Sequence, residues 1–533
     1  MPNIYRIHPA IGTARVGDSE SPDGYFVGPE APGVPPSLNP PDAPHDPNAG
    51  YKDDQGRIKR QGARFRIYEY TLDDAGTTTK VREITADEAQ IEWEVHLANR
   101  KAAAPEFSAD EESGDRRNNG VPEEELIIDA GSQKISGVGQ DMKRLRGRFM
   151  DTIVQLGDLL TDSAGRLIVL GGIGKSQSPL GRKPRHYANN DGWCDDTSDG
   201  PVRATVRVNG STETIETDPA WVIVAPPDFA PPIESVVTLY DVVYNMMAKF
   251  DPSLATSDAT TVSFTHDIYP IFRRVSNMHW VSMVAAIGHG PEQSLGHFSS
   301  LAQRLSDKSP RVRDLRHFIF RRLRNPQGGG GSMPKLPVNP RRRSRAVLSL
   351  TEVQYERMRR WAEGEFEDDW PEDGEPTPLP LDELPDLETL HALDRAALEA
   401  CVGGGFFPGI EVGRIMLEES TYDKNRPFRV NAQFSPGVLT ARMAVPWQAD
   451  FLACSFVGDD DEPFDRRDWW PSQRPNDVYR GQVQGPWIPP NWTEISNMVD
   501  NWSQLGFVVK EEDTDRYVED ERDVEGEHTP NLQ

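Results

Sequence analysis

Cysteine is scarce in this chain: three residues among 533, at positions 194, 401 and 454. So few thiols exclude a disulfide scaffold, and their spacing matches no zinc-ligand pattern. Long apolar runs are missing too. No stretch reaches the roughly 20 apolar residues of a membrane span, and mean hydropathy is −0.62. The opening Met1-Pro2-Asn3-Ile4-Tyr5-Arg6 lacks the basic and apolar regions of a signal peptide. Cytoplasmic synthesis is therefore expected, with non-classical export left open. Positive charge is in deficit, 58 Lys and Arg against 85 Asp and Glu. The resulting net charge of −27 argues against nucleic acid or an anionic membrane as partner.

Two motifs are present only in fragments. Gly171-Gly172-Ile173-Gly174-Lys175-Ser176 ends like a phosphate-binding loop, but Val169 stands where the first glycine belongs. His279, His289 and His297 have separations that suit no ligand pair on a helix or strand, so they read as ordinary polar histidines.

What the chain does have is length, turns and acid. A 533-residue chain exceeds one ordinary core, and 45 Pro with 44 Gly imply many loops. Residues 4–18 read as a strand and turn, and alternation from Ile67 to Glu94 reads as β, as do Arg203–Gly210 and Trp221–Val224. Residues 235–250 and 296–324 show helical spacing. Thr351–Gly364 reads as a helix with Thr351 as N-cap and Gly364 as stop. Phe366–Glu388 reads as an exposed acidic insertion, and Lys510 onward as an acidic arm. The expected division is an N-terminal lobe over 1–240, a helical connection over 241–335, a C-terminal lobe over 336–505 and an acidic tail over 506–533.

Three segments are dense in chemistry-bearing residues. Tyr187–Pro201 holds four aspartates and two asparagines, yet neither register fits an EF-hand, so a turn system of Asx side chains is the plainer reading. Cys401–Glu411 carries Gly403-Gly404-Gly405 followed by Phe406 and Phe407: a tight loop with an apolar wall. The third segment joins Val445–Cys454 to Arg467-Asp468-Trp469-Trp470-Pro471. Asp450 and Cys454, four apart, share a face if helical. A carboxylate beside a thiol raises the thiol pKa, a poor arrangement for a free nucleophile. The pairing makes sense if the sulfur is not free and the carboxylate acts on something else.

Together with Ile4-Tyr5-Arg6-Ile7-His8-Pro9-Ala10-Ile11-Gly12, these segments resemble the lysine ε-oxidase and glycine oxidase family, whose members carry cysteine tryptophylquinone. The resemblance implies a large, loop-rich, mixed α+β enzyme of two lobes, with the quinone site in the C-terminal one. It implies a thioether from Cys454 to Trp469, with Trp470 as the alternative, and Asp450 as the carboxylate serving cofactor assembly and proton abstraction. The implied reaction oxidises a primary amine, such as an amino acid, with dioxygen to an aldehyde or oxo acid, ammonia and hydrogen peroxide. A flavoprotein maturation partner is implied as well, and a homo-oligomer is compatible with the sequence. Cys194 matches a position that is typically Tyr or Phe in the family, and Cys401 a substrate-channel position, so both are expected, with Phe406, to line the substrate pocket. A binding or structural protein on the same scaffold, without a mature quinone, is the alternative.

Overall fold

The computed structural model describes residues 3–74, 76–107, 115–252, 254, 261–333, 348–404, 409–453, 471–481 and 483–523. Its centre is a large sheet drawn almost wholly from the first 225 residues. The strands run Lys143–Phe149, Thr152–Thr161, Leu167–Leu170, Arg60–Leu72, Ile11–Arg15, Ala220–Ala225, Ser198–Val208, Ala89–Val95 and Gln133–Ser136 in spatial order. Neighbours on this path are antiparallel except Ile11–Arg15 beside Ala220–Ala225, a parallel pair that joins the two ends of the lobe. Both of those strands are buried along their whole length. That is why Ala220–Ala225 reads as an unbroken apolar run and Ile11–Ala14 as an apolar and small-residue run before Arg15, rather than an alternation.

Helices cover this sheet and extend beyond it. Leu239–Phe250 starts at Thr238, whose hydroxyl accepts the Asp241 N–H while Asp241 reaches back. Glu352–Glu363 shows the expected Thr351 cap, and Gly364 ends it at φ 86°, where a β-carbon would be strained. Asp386–Glu399 packs on strand Ile11–Arg15. Arg274, on helix Tyr269–Asn277, is buried and binds Glu234, Asp241 and Glu399 at 2.6–2.9 Å. One guanidinium thus ties three chain segments together.

Two expectations are corrected. Residues 296–324 do not form one helix: Ser299–Leu301 leads into the short helix Ala302–Leu305, and a break through Pro310–Val312 separates that from Arg313–Phe320. Ser309 is held extended, ψ 157°, before Pro310, as the proline ring requires. The chain after Gly506 is not a loose arm where it is described. Phe507–Lys510 and Tyr517–Asp520 pair antiparallel, Phe507 stacks on Tyr51, and the Glu521 carboxylate accepts the N–H groups of Tyr51 and Lys52. Those partners lie far away in sequence, beyond the reach of local periodicity. The insertion after Phe366 is exposed in large part, although Trp370 packs on Tyr269 and Glu375 pairs with Arg273. Among the described residues, no helix is long and apolar enough to cross a membrane.

Candidate active site

Helix Trp447–Ala453 carries Asp450, and from Trp447 to Leu452 every side chain is buried, Asp450 at 6% exposure. A seven-residue helix has too few internal bonds to stand alone, so its surroundings must hold it. Before it, Val445 donates its N–H to the Ala188 carbonyl, and its own carbonyl accepts from Asn190 Nδ2 at 2.9 Å. Asn190 Oδ1 meanwhile takes the N–H groups of Arg185 and His186. At the helix start, the Trp447 N–H donates to Asp195 Oδ2 at 3.0 Å. Toward the far end, the Phe451 carbonyl accepts from Arg474 Nε. Trp447 stacks edgewise on Phe451 and on Trp502, and the helix packs against Ile495–Asn501.

The aspartate-rich segment is the wall behind this helix. Asp195, Asp196 and Asp199 are fully buried. Asp195 pairs with Lys101 at 2.9 Å and also accepts from Asn99 Nδ2 and Thr197. Burial pushes the Lys101 ammonium below its ordinary pKa, opposed by Asp195. It likewise brings the nearby Arg117 guanidinium down to about 10. Asp199 accepts from Trp221 Nε1, the Leu439 N–H, and the N–H and hydroxyl of Thr440. It thereby welds the sheet to the chain leading into the site helix. Among the described residues Asp196 meets only main-chain donors, the Lys175 N–H at 3.1 Å among them, and burial lifts its pKa to about 7. Gly172 leaves that carboxylate room: a β-carbon there would lie 2.4 Å from Asp196 Oδ2. The Asx-turn reading thus covers the local bonds of Asn190 and the Asp195 bond to the Thr197 N–H, whereas Asp191 accepts the distant Asn118 N–H and Asp195 and Asp199 are also long-range anchors.

Cys194 is 1% exposed, its main chain bridges to Gln177, and its thiol donates to the Gln177 carbonyl at 3.6 Å. Burial raises its pKa. The residue before Gln177, Ser176, donates to Gln448 of the site helix, so the Ser176–Gln177 segment lies between Cys194 and that helix. Cys401 is buried against Thr13 Oγ1 at 3.3 Å, within a cluster built on Arg15. Arg15 binds Glu411 at 2.9 Å and the Ala400 carbonyl at 2.7 Å, with Asp228 at 4.0 Å. Glu411 in turn accepts the Val402 N–H, closing the Cys401–Glu411 loop on itself. Burial raises the pKa of Cys401 and of Glu411, and brings Asp228 to about 6.

The same Ala400 carbonyl accepts from Gln473 Nε2, and Ser472 and Gln473 meet Ser235. Pro471 to Arg474 are buried. Three elements therefore converge: the Asp450 helix, the chain that follows the tryptophan pair, and the start of the Cys401 loop. Cys454, Trp469, Trp470 and Phe406 lie outside the described residues. Sequence reasoning missed Lys101, Asn99, Arg15 and Arg474 as parts of this site. Lys101 stands before Ala102-Ala103-Ala104; a cation entering a small apolar run was the available signal. Arg15, within a strand, carried none.

Comparison with known proteins gives a consistent set of matches. Residues 8–224 match the model described as L-Lysine epsilon oxidase N-terminal, and residues 330–477 the L-lysine epsilon oxidase C-terminal domain. The chain is 30% identical to L-lysine 6-oxidase of Marinomonas mediterranea, over 84% of this chain and 71% of that protein. The crystal structure of the L-Lys epsilon-oxidase from Marinomonas mediterranea superimposes with TM-score 0.76 at 23% identity, covering 97% of this chain and 95% of that one. The Schiff base intermediate of that enzyme with L-Lys gives TM-score 0.75 at 24% identity, with the same coverage.

Proposed function

The chain belongs to the L-lysine epsilon oxidase family, and from that premise we propose that it is a quinone-dependent amino-acid oxidase that deaminates a primary amine with dioxygen. The products are an aldehyde or oxo acid, ammonia and hydrogen peroxide. L-Lysine, the substrate in the name of the 30% identical relative, is the first amine to test.

The observation that carries this reading is the clasp between Arg474 and the Phe451 carbonyl. Phe451 lies three residues before Cys454, and Arg474 lies five residues after Trp469. The buried flanks of both cofactor-forming residues are thus held in hydrogen-bonding contact, with a buried carboxylate, Asp450, on the same helix. That donor set fits cysteine tryptophylquinone formed from Cys454 and Trp469, with Trp470 as the alternative. When formed, such a group supplies an electrophilic carbonyl and an electron sink that no ordinary side chain offers.

The chain's own residues do the rest. Asp450 takes the proton from the substrate carbon, as a general base within a site that excludes water. The buried packing of Trp447, Phe451 and Leu452 supplies that exclusion. Cys194 acts as a pocket residue through its size, since a thiol in place of an aromatic ring leaves room for a substrate larger than glycine, and Cys401 lines the substrate channel. A flavoprotein partner matures the quinone.

Intact mass tests the central claim. The mature chain gains two oxygens and loses four hydrogens, and peptide mapping places Cys454 and Trp469 in one cross-linked fragment that Cys454→Ala abolishes. An unmodified mass in protein from its native source, made alongside its partners, ends the quinone reading. Asp450→Ala should fold and either lack the visible absorbance or fail to turn over; full colour with full peroxide production would remove Asp450 from the mechanism.

A further inference from the structure

Asp195 fills the hydrogen-bonding capacity of both its oxygens, and one of those bonds goes to the start of the short site helix. Its Oδ1 is occupied by Asn99 Nδ2 at 3.0 Å and by the Thr197 N–H and hydroxyl. Its Oδ2 is shared by Lys101 Nζ at 2.9 Å and the Trp447 N–H at 3.0 Å. Asp195 and Lys101 are 0% and 1% exposed at their side chains. Taking both charges out of water is costly, and a buried ion pair of this kind is no better for stability than well-packed apolar residues. A neutral Asn or Ser would cap a helix start adequately. A charge-assisted bond, however, is shorter and stiffer than a neutral one.

The start of the site helix is anchored through one main-chain donor, while Ser176 and Arg474 hold it farther along. Pro446 precedes it and has no N–H to donate, so Trp447 offers the first main-chain donor. Asp450 sits three residues on, a rise of about 4.5 Å. A tilt about the helix start therefore displaces the Asp450 carboxylate almost directly. Misplacing a reacting group by about 1 Å costs on the order of 100-fold in rate.

We propose that Asp195 is a positioning residue for Asp450, acting through the Trp447 N–H, with Lys101 as the counter-charge that keeps its carboxylate buried in place. The proposal rests on the oxidase reading for what Asp450 does, and on geometry alone for what Asp195 holds.

Three full-length variants separate positioning from simple support. Asp195→Asn puts a donor where Lys101 and Trp447 both need an acceptor. Lys101→Met leaves the carboxylate with its Asn99, Thr197 and Trp447 donors. Amide exchange within residues 447–453 reads the helix directly and needs no cofactor. Turnover of L-lysine, protiated and deuterated at the carbon bearing its ε-amine, reads Asp450 per mature site. Asp195→Asn should speed exchange in that helix at least 10-fold and slow turnover 10- to 100-fold, with a larger isotope effect because carbon–hydrogen cleavage becomes limiting. Lys101→Met, which removes the counter-charge but leaves the Trp447 bond, should lose stability with a clearly smaller rise in exchange and isotope effect than Asp195→Asn gives. Asp195→Glu, which keeps the charge and shifts the oxygens, carries the same expectation as Asp195→Asn where that variant does not accumulate as folded protein. Wild-type exchange in the Asp195 variants overturns the proposal. So do rate losses that follow stability alike in the Asp195 and Lys101 variants with an unchanged isotope effect. A wild-type chain without quinone absorbance or lysine turnover defeats the oxidase reading instead, and leaves the exchange result standing.

Discussion

Two stretches of this chain are equally acidic and have opposite fates. Asp191–Asp199 and Glu511–Asp515 each carry four carboxylates. In the first, Asp195, Asp196 and Asp199 are fully buried; in the second, Glu512, Asp513 and Asp515 are exposed. The surface stretch bends through a turn whose ion pairs, such as Lys510 to Asp515 at 3.5 Å, are exposed and contribute little. The buried stretch reaches the C-terminal lobe, with Asp199 on Thr440 and Asp195 on Trp447. Charge count alone does not distinguish them. The difference is the number of N–H and O–H donors each carboxylate meets.

The sharpest way to break this contrast is Asp199→Ala. It strands the donors of Trp221, Leu439 and Thr440, each costing roughly 1–3 kcal/mol when buried unpaired. Denaturant unfolding should show a loss of about 4 kcal/mol or more, and a loss below about 1 kcal/mol would mean the weld is not what holds the lobes. Next comes Arg15→Met, which leaves Glu411 and Asp228 buried without their cation. A loss of about 3–5 kcal/mol is expected, and Glu411→Gln on that background should restore part of it.

Asp196 sharpens the comparison by pH. Its folded pKa, about 7, stands above the ordinary 3.8, so the folded chain holds a proton that the unfolded chain releases. Its contribution is fully present below the unfolded value and is lost as pH rises toward the folded one. Asp196→Asn should therefore flatten the decline between about pH 4 and 7, and above pH 7 should be the more stable protein by about 2 kcal/mol or more. Equal pH slopes in thermal melts of the two proteins would show that Asp196 does not titrate there. At the small end, Asp513→Asn and Asp515→Asn should change stability by no more than about 0.5 kcal/mol; a larger loss would give the surface stretch a role that its exposure denies.

Much of the sheet was legible because period-2 alternation and unbroken apolar runs are local signals, as in Arg66–Leu72 and Trp221–Val224. The Thr351 to Gly364 helix was legible from its two ends. The broken 296–324 region was not, because helical spacing survives a proline that the backbone does not. Asp450 was found by its spacing to Cys454, and the structure buries it. The anchors around it escaped notice, since Arg15 acts on Glu411 396 positions away, Lys101 on Asp195 94 away and Arg474 on Phe451 23 away, and a single chain carries no mark of such pairings. The strand Tyr517–Asp520 went unread because its acidic residues show no apolar alternation, although Phe507–Lys510 pairs with it across a short turn.

The bond from Trp447 to Asp195 spans 252 positions of sequence, and that from Thr440 to Asp199 spans 241. Contacts of such range close large loops and form late in folding. During synthesis the N-terminal sheet, with its buried aspartates, is complete in sequence before Asp450 and Cys454 leave the ribosome. The site helix therefore docks onto a wall already built. The order of synthesis thus becomes an order of assembly: the wall that receives Asp450 exists before the helix that carries it.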